Sequence, residues 1–437
     1  MKITFLNHAS FIIEMKNLKI CVDPYLFGSA FNNGWSLLAE EDHKNELKDI
    51  THIFYSHEHP DHFSIPFLKS IEKKDRNNIE ILYQETYDKK LKKFCEGQGF
   101  QFRELPNNQE IQIYNNAFIT CGKVPFHDSW VNFNFENKNI LNVNDCVLEN
   151  PKFVYEIKKI LNRKIHTLFT QFSYANSDVE LDQKKLALKQ LEKIKLQDDV
   201  LTPENIVPFA SFIYFSSYDN KYMNENINTA QSVFEYISNN CKANPIILKP
   251  NMVLELPSKI NNKVSLEYWN SLYKNIDKLK YHAIDTTIPE NTLVNQSRDY
   301  LERIKKFNNY FLITLLNKLK FFPIINIYIT DLKKYFSFDL SSGLNFKDNF
   351  TNKEKFLSLN SNSLSYIFNY DYGFETLTIN ARFKCDNDYF LKVKKCLFLG
   401  SLNNTGRFIR FNNLYKFINS KLVVRSLELF SLKKKHS

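Results

Sequence analysis

The chain opens with short apolar runs that are separated by turn-forming residues. These short runs, bounded by turn residues, predict strands over residues 3–6, 11–14 and 19–22. A fourth run, over residues 52–55, has the composition of a buried strand and leads directly into a histidine-rich stretch. The N-terminal region is therefore predicted to begin as a sheet.

The middle of the chain mixes helical and strand patterns. Residues 151–164 and 182–195 have apolar positions at helical spacing, with charged residues between them. Strand patterns fall in five ranges, which are 117–121, 130–135, 139–143, 167–172 and 205–209. Strands interspersed with helices predict an α/β or α+β layered fold.

The pattern changes after about residue 300. We predict a long helix over residues 297–319. Shorter strand-like runs follow it, over residues 364–369, 376–383 and 389–398. A helix followed by a group of strands is typical of a separate, smaller α+β domain.

Length and composition agree with two globular domains. A chain of 437 residues, 43% of them hydrophobic, is too long for one small core. The predicted organisation is a first domain over residues 1–255, a connecting segment over 256–300, and a C-terminal domain of unknown role over 301–437.

The net charge of +10 comes from 58 basic and 48 acidic residues. Such an excess forms either an ordinary solvated surface or a field that favours a small anionic substrate, and the sequence leaves both open. No arginine-rich stripe or nucleic-acid-binding module is present, so nucleic acid is not an expected partner.

The cysteines and the hydropathy of the chain both bear on where in the cell the protein is expected. Seven scattered cysteines without a Cys-x-x-Cys pair favour reduced thiols over disulfides. The N-terminus lacks the features of a signal peptide. The most apolar later stretch, residues 310–332, is interrupted by Lys318, Lys320 and Pro323. We therefore expect a cytoplasmic protein without a membrane span.

The strongest chemical signal is the segment over residues 55–62, which reads Tyr-Ser-His-Glu-His-Pro-Asp-His. Imidazole and carboxylate groups are the ligands that borderline first-row metals prefer. Because the segment turns at the end of a buried strand, His57 and His59 are expected to face one ion, while Asp61 and His62 face a second. A chance cluster is disfavoured, since the chain has only 10 histidines.

The order of ligands in this cluster resembles the HxHxDH motif of the metallo-β-lactamase fold superfamily. Residues 7–14, which read Asn-His-Ala-Ser-Phe-Ile-Ile-Glu, and residues 22–24, Val-Asp-Pro, agree with it. The resemblance covers about residues 1–255 and implies an αβ/βα sandwich with its site at one edge between two sheets. It also implies one or two divalent metal ions, with zinc expected first and iron or manganese as alternatives.

The resemblance implies two further ligands downstream. His127 stands where the superfamily places the third histidine of its first metal site, and an ordinary surface-loop histidine is the alternative. Asp145 stands where the superfamily places a carboxylate that bridges two ions, and an ordinary turn aspartate is the alternative. Asp61 and Asp145 are the expected catalytic residues. The implied metal ligands are His57, His59, Asp61, His62, His127 and Asp145.

One late histidine of the superfamily pattern is missing. The matching stretch, residues 208–220, contains none, and His282 and His436 stand in no convincing context. Asp219 or a water is the expected substitute, and otherwise the second ion is weak or absent. The number of metal ions therefore stays open.

A loop over residues 23–35 resembles a narrower subgroup, namely the metallo-β-lactamase-like part of CMP-N-acetylneuraminate hydroxylases and related bacterial surface-polysaccharide enzymes. Residues 171–175, 222–225 and 371–377 fit it too. Those hydroxylases carry a Rieske iron–sulfur domain, which needs Cys-x-His elements. The printed sequence contains no such element.

Three functions follow from this reasoning. The first is a metal-dependent hydrolase in which a metal-activated water, oriented by Asp61, attacks an anionic substrate of the sugar or sugar-nucleotide type. The second is an iron-dependent oxygenase of a sugar nucleotide, reduced by a separate protein. The third is a non-catalytic metal-binding scaffold, which the missing late histidine favours.

Overall fold

The computed structural model describes residues 1–124, 128–177, 182–256, 260–283, 286–319, 321–347, 354–404 and 406–413. The chain divides into two compact units. The first comprises the described residues of Met1–Ala175, Leu181–Ser216 and Lys221–Tyr281. The second comprises those of Asn176–Glu180, Ser217–Asn220 and His282–Ser437. The division after Tyr281 falls inside the predicted connecting segment.

The first unit contains most of the strands. They are β1 (Lys2–Asn7), β2 (Ser10–Met15), β3 (Leu18–Val22), β4 (Ser29–Ala30), β5 (Trp35–Leu37), β6 (His52–Tyr55), β7 (Glu80–Gln84), β8 (Gln101–Leu105), β9 (Gln109–Tyr114), β10 (Ala117–Lys123), β11 (Ser129–Phe135), β12 (Lys138–Asn144), β13 (Thr167–Gln171), β14 (Asn205–Phe209), β15 (Ile213–Phe215), β16 (Asn244–Pro245) and β17 (Val253–Glu255). Its α-helices are α1 (Ile65–Ser70), α2 (Lys90–Gly97), α3 (Pro151–Leu161), α4 (Gln183–Leu201), α5 (Ala230–Asn240) and α6 (Asn262–Tyr273). Short 3-10 helices cover Arg76–Asn78, Lys221–Asn226 and Ile276–Lys278.

Two large sheets form the body of this unit. One has the strand order β17-β1-β2-β3-β6-β7-β8, and the other has the order β10-β11-β12-β13-β14-β16. Strands β3, β6, β7 and β8 are parallel, as are β12, β13, β14 and β16. A small third sheet has the order β15-β5-β4. Because the carboxyl ends of parallel strands lie at one edge of a sheet, the turns after them meet there.

The inner faces of the two large sheets share one apolar core. Phe11 of the first sheet stacks on Phe169 of the second, with ring centroids 4.5 Å apart, and Phe54 meets Phe133 edge to face at 6.0 Å. The neighbours of Phe54 on β6 point to the opposite face and pack in a second cluster with α1 and α2. This alternation gives helix, sheet, sheet and helix layers, so the predicted αβ/βα sandwich is confirmed.

The second unit is a smaller α+β domain, also as predicted. Its elements are α7 (Glu290–Phe307), α8 (Tyr310–Lys318), β18 (Ile325–Ile329), β19 (Lys334–Asp339), β20 (Gly343–Phe346), β21 (Leu357–Leu359), α9 (Ser361–Asn369), α10 (Gly373–Asn380), β22 (Phe383–Lys384) and α11 (Asn387–Asn404), with a 3-10 helix at Phe411–Asn413. The sheet order is β20-β19-β18-β21-β22. Among the helices that the structure describes, none combines the length and the apolar character that crossing a bilayer requires.

The local predictions for this unit were partly wrong. The runs predicted as strands over 364–369 and 389–398 lie inside α9 and α11, whereas the run over 376–383 lies in α10 up to Asn380 and reaches β22 at Phe383. In α9 the buried Leu364, Ile367 and Phe368 are spaced as a helix requires, and a short apolar run fits both periods. The side chain of Asn360 accepts a hydrogen bond from the Ser363 amide, which caps the helix.

The long predicted helix over residues 297–319 is also interrupted. It is divided into α7 and α8 at Asn308 and Asn309. The Asn309 side chain accepts a hydrogen bond from the Leu312 amide and so starts α8 anew. An asparagine pair therefore ends one helix and caps the next.

Close packing at Gly122 yields a test of the sandwich. A Cβ atom added to Gly122 on β10 would lie 2.2 Å from the Trp130 ring on β11. We therefore expect Gly122→Ala to lower the free energy of unfolding by about 1–3 kcal/mol. All three tryptophans (35, 130 and 269) lie in the first unit, so urea unfolding followed by tryptophan fluorescence reports on it.

The matched control is Gly97→Ala. Among the described residues outside its own turn of helix, none places an atom within 4 Å of the Cβ position at Gly97, the last residue of α2. This change is expected to be neutral or stabilising by up to about 1 kcal/mol. Equal midpoints for the two variants would contradict the packing argument.

Candidate metal centre

The candidate site is built from turns that follow four strands of the first unit. His8 follows β1, and Asp23 follows β3. The segment over residues 56–62 follows β6, and Asp145 follows β12. Although they are far apart in sequence, the sheet order brings these strand ends together.

The first ligand group consists of His57, His59 and Asp145. Their potential ligand atoms all lie within 4.8 Å of one another. His57 Nε2 is 2.9 Å from His59 Nδ1 and 3.7 Å from Asp145 Oδ2. Three donors that converge from two turns are sufficient to hold one cation.

The second ligand group consists of His8, Asp61 and His62, and all three are buried. The Asp61 Oδ2 atom lies 3.3 Å from His8 Nε2 and 3.5 Å from His62 Nε2. Both rings therefore turn their Nε2 atoms towards the same carboxylate. His8 supplies the third donor of this group.

Asp145 lies between the two groups. Its Oδ2 atom faces His57, and its Oδ1 atom is 3.7 Å from His62 Nε2 in the second group. One carboxylate that presents an oxygen to each group is the arrangement that a bridging ligand requires.

The buried carboxylate of Asp23 holds the second group in place. Its Oδ1 accepts a hydrogen bond from the Ser56 amide at 2.7 Å, and its Oδ2 accepts one from the Ser56 hydroxyl at 2.7 Å. The Nδ1–H of His62 donates to Oδ2 at 3.0 Å. Since Nδ1 is engaged, His62 presents Nε2 to Asp61, as second-shell carboxylates arrange for metal-binding histidines.

The site tolerates backbone strain. His8, Asp23 and Asn144 have φ values of 40°, 41° and 36°, in the left-handed region that residues with a Cβ rarely adopt. Such conformations cost about 1–3 kcal/mol each and cluster at functional sites. Here they occur at three of the four strand ends that build the centre.

The donor set fits a divalent cation. Three buried atoms, His62 Nε2, Asp61 Oδ1 and Asp145 Oδ1, have no hydrogen-bond partner within the described part of the chain. Buried polar atoms are normally satisfied, because leaving one unpaired costs about 1–3 kcal/mol. Nitrogen and carboxylate oxygen donors suit zinc, iron and manganese, so the residues do not select among these metals.

Most residues of the site are in the protonation state that binds a metal ion. Burial lowers the pKa of His57 well below its ordinary value, and burial also lowers the pKa values of His59 and His8. These rings are therefore neutral at neutral pH, which is the form that binds a metal. Burial acts to raise the pKa of Asp145, but His57 and His62 lower it.

His62 is the exception. Burial acts to lower its pKa, but the surrounding carboxylates, that of Asp145 first, raise it to about 10. Burial acts to raise the pKa of Asp61, but the neighbouring His62 and His8 lower it. Without a cation, a protonated His62 is therefore the positive charge that balances these buried carboxylates.

The structure brings together five of the six predicted ligands. His57, His59, Asp61, His62 and Asp145 meet in the two groups, whereas His127 lies outside the described residues. Asp219 belongs to the second unit, where its carboxylate accepts a hydrogen bond from Asn360 and lies 3.5 Å from Arg382 Nε. It is a member of neither ligand group.

Sequence reasoning missed His8 and Asp23 as members of the site. Both were noted only as parts of matching stretches. The available signal was that each polar residue directly follows a predicted strand. Asp128 was also missed; its buried Oδ1 lies 4.0 Å from His57 Nδ1.

Comparison with known families agrees with this geometry. Residues 2–146 match the model of a family described as "Beta-lactamase superfamily domain". The matched part of the chain contains every member of the two ligand groups.

Two curated proteins that match the chain have the same name. The chain is 25% identical over 276 residues to the cytidine monophosphate-N-acetylneuraminic acid hydroxylase of Cricetulus griseus, a match that covers 58% of this chain and 48% of that protein. It is 30% identical over 161 residues to the enzyme of the same name from Xenopus laevis, covering 34% of this chain and 26% of that protein. The matches thus span about half or less of the length of these relatives.

Solved structures of similar fold include a CmlA beta-hydroxylase mutant, with a TM-score of 0.43 and 14% identity over 58% of this chain and 54% of that one. They also include isothiocyanate hydrolase from Delia radicum gut bacteria, with a TM-score of 0.41 and 15% identity over 59% of this chain and 99% of that one.

Two separate ligand groups imply a stoichiometry that can be tested at His8. We expect His8→Ala to reduce the bound divalent metal from about two ions per chain to about one, because three donors become two in the second group only. Elemental analysis after dialysis measures this directly. His166→Ala, which changes a histidine outside both groups, is expected to retain both ions. Unchanged metal content in the His8 variant would remove it from the ligand set.

The raised pKa of His62 predicts how the metal-free protein responds to pH. Its ordinary value of 6.5 is raised to about 10 by folding, so the stabilisation by the protonated ring is complete below pH 6.5 and is lost as the pH rises towards 10. Between these two values the folded chain binds one proton more than the unfolded chain. Each pH unit then lowers the free energy of unfolding by about 1.4 kcal/mol.

The interval from about pH 7 to about pH 8.5 isolates this effect, because ordinary histidines titrate below it and thiols above it. Urea unfolding of the metal-free protein, followed by tryptophan fluorescence, measures the slope. His62→Gln is the control and is expected to be nearly flat across this interval. A flat profile in the unsubstituted protein would contradict a protonated His62.

Proposed function

We propose that this chain is a metal-dependent hydrolase that uses a metal-activated water to cleave an anionic substrate of the sugar or sugar-nucleotide type. The observation that carries the proposal is the pair of neighbouring ligand groups, with one oxygen of Asp145 directed towards each. A paired centre of this kind is suited to hydrolysis, because two cations stabilise both the attacking and the leaving oxygen.

Each residue has a distinct part in this proposal. In it, His57, His59 and Asp145 would hold one ion and His8, Asp61 and His62 would hold the other, with one oxygen of Asp145 facing each group. Bound divalent cations supply Lewis acidity that lowers the pKa of water towards about 7. Asp23 keeps the His62 ring oriented through its hydrogen bond to Nδ1.

Asp61 is proposed as the residue that orients the nucleophile. Its Oδ2 faces the two histidines of its group, and its Oδ1 has no hydrogen-bond partner in the described part of the chain. His62 and His8 keep its pKa low against the effect of burial. An ionised carboxylate with one uncommitted oxygen can accept a hydrogen bond from the attacking water.

The loop over residues 31–33 is proposed as a wall of the substrate pocket. Phe31 meets the His59 ring edge to face, with centroids 5.8 Å apart. All three residues of the loop have positive φ, between 51° and 58°, and strained loops of this kind are held in place where function needs them.

Two observations support an anionic substrate. The chain carries a net charge of +10. Lys193, buried on α4, donates a hydrogen bond to Gln171 Oε1 at 3.3 Å. Burial lowers the pKa of Lys193, while Glu149 and Asp145 act to raise it, so this ammonium is within electrostatic range of the centre.

A second candidate function is an iron-dependent oxygenase, and the names of the curated relatives favour it. The same histidine and carboxylate donors suit iron. The printed sequence has no Cys-x-His element for a Rieske cluster, so in this candidate the electron donor lies outside these residues. The scaffold hypothesis loses support, because His8 supplies the third donor of the second group.

Substitution of Asp61 tests the hydrolase. With zinc or manganese bound, the protein is expected to release nucleotide or phosphate from a panel of nucleotide sugars at equal rates with and without oxygen.

Asp61→Asn is expected to lower kcat about 100-fold or more, because it removes the carboxylate that orients the nucleophile. Product release measured by chromatography checks both.

Asp42→Asn is the control, since it makes the same charge change at an exposed position outside the groups. Oxygen consumption that requires iron and an added reductant, without hydrolysis under any metal, would replace the hydrolase by the oxygenase. Full activity of the Asp61 variant would contradict the assigned role.

A further inference from the structure

Helix α8 of the second unit carries large apolar side chains on two sides. Its Ile313 is buried in the core of that unit, and Leu312 and Leu316 pack against the same core. On the other side Phe311, Leu315 and Leu319 are 68%, 42% and 69% exposed. Because these three residues follow one another at intervals of four, they form one line along the helix and its C-cap.

Further large apolar residues close to α8 in the sequence are also exposed. They are Phe307, Tyr310, Phe321 and Ile324. We call these seven residues, Phe307, Tyr310, Phe311, Leu315, Leu319, Phe321 and Ile324, the apolar stripe. Single exposed apolar residues are ordinary, but a contiguous set of large ones marks an interaction surface.

The sequence around the apolar stripe is rich in basic residues. From Glu302 to Asp331 the sequence has no other acidic residue. The basic residues in that interval are Arg303, Lys305, Lys306, Lys318 and Lys320. Lys306 and Lys318 are exposed.

Two contacts place cations beside residues of the stripe, and one of these cations, Lys305, is also paired with Glu302 at 2.7 Å. Lys305 Nζ lies 5.0 Å from the centroid of the Tyr310 ring. Arg410 Nε donates a hydrogen bond to the Phe307 carbonyl at 2.8 Å. The stripe is therefore a large apolar surface with a basic border.

We propose that the apolar stripe docks the second unit onto an anionic lipid surface. Interfacial helices bind membranes by burying apolar side chains at the level of the headgroups, while lysines and arginines meet the anionic lipids. Such docking is peripheral and needs no membrane-crossing helix. It is independent of the proposed function, since it uses none of the residues of the metal centre.

A second copy of this chain fits the stripe less well. In a two-fold symmetric dimer the same surface would face itself. The basic borders of the two copies would then approach each other without acidic residues from this segment to neutralise them. Anionic lipid supplies the missing negative charge.

Vesicle flotation tests the proposal with the full chain. The probe is vesicles of phosphatidylcholine that contain about 30 mol% phosphatidylglycerol, compared with phosphatidylcholine alone. We expect binding to the anionic vesicles at least about tenfold stronger than to the neutral ones. Phe311→Ser/Leu315→Ser is expected to weaken it about tenfold, because two inserted side chains are lost. Lys306→Gln/Lys318→Gln is expected to do the same through charge.

The matched control is Tyr155→Ser/Leu188→Ser, which removes two exposed apolar residues from α3 and α4 of the first unit. It is expected to bind vesicles like the unsubstituted chain. Circular dichroism melting curves confirm that each variant is folded. Absence of binding to anionic vesicles, or equal loss in the control, overturns the proposal. So does a dimer, measured by light scattering, that Phe311→Ser/Leu315→Ser converts to a monomer.

Discussion

The fully buried carboxylate of Asp23 ties two parallel strands together at the point where the chemistry is located. Asp23 follows β3, and its carboxylate accepts two hydrogen bonds from Ser56, the first residue after β6. The turn after β6 is therefore tied to the end of β3. The same carboxylate orients His62. A buried anion without such partners would cost several kcal/mol, and here the backbone, a hydroxyl and an imidazole all share it. The positions of the ligands therefore depend on how this one charge is satisfied.

The centre concentrates negative charge in a place from which water is largely excluded. Asp23, Asp61 and Asp145 lie around one imidazole, and Asp128 is buried close to His57. Burial raises the pKa of Asp128 well above its ordinary value, so the protein limits the number of charges by keeping that group neutral. Bound cations would relieve the repulsion among the remaining carboxylates. The electrostatics therefore support the same interpretation as the geometry, namely a metal-binding centre.

Much of the fold and the centre of the site could be predicted from sequence because their signals are local. The strands before His57 are short runs bounded by turn residues, and the cluster over residues 57–62 lies within one turn. His8 could not be assigned in this way, because its meeting with Asp61 depends on the order β1-β2-β3-β6, which no local pattern specifies. The helices of the second unit were misread for another reason. Their apolar runs are too short to distinguish a period of 2 from one of 3.6, and in α9 the capping Asn360 carried the deciding information.

The wide separation of the ligands in sequence also concerns how the chain folds. His8 and Asp61 are 53 positions apart, and Asp145 comes from a different sheet. A cation shared by such residues acts as a removable crosslink between distant parts of the chain. While it is bound, the long segments between its ligands are closed into loops and have less conformational entropy. Loss of the ion would then release the strand ends of both sheets together, so that this edge of the sandwich becomes the place where a protease first finds an opened chain.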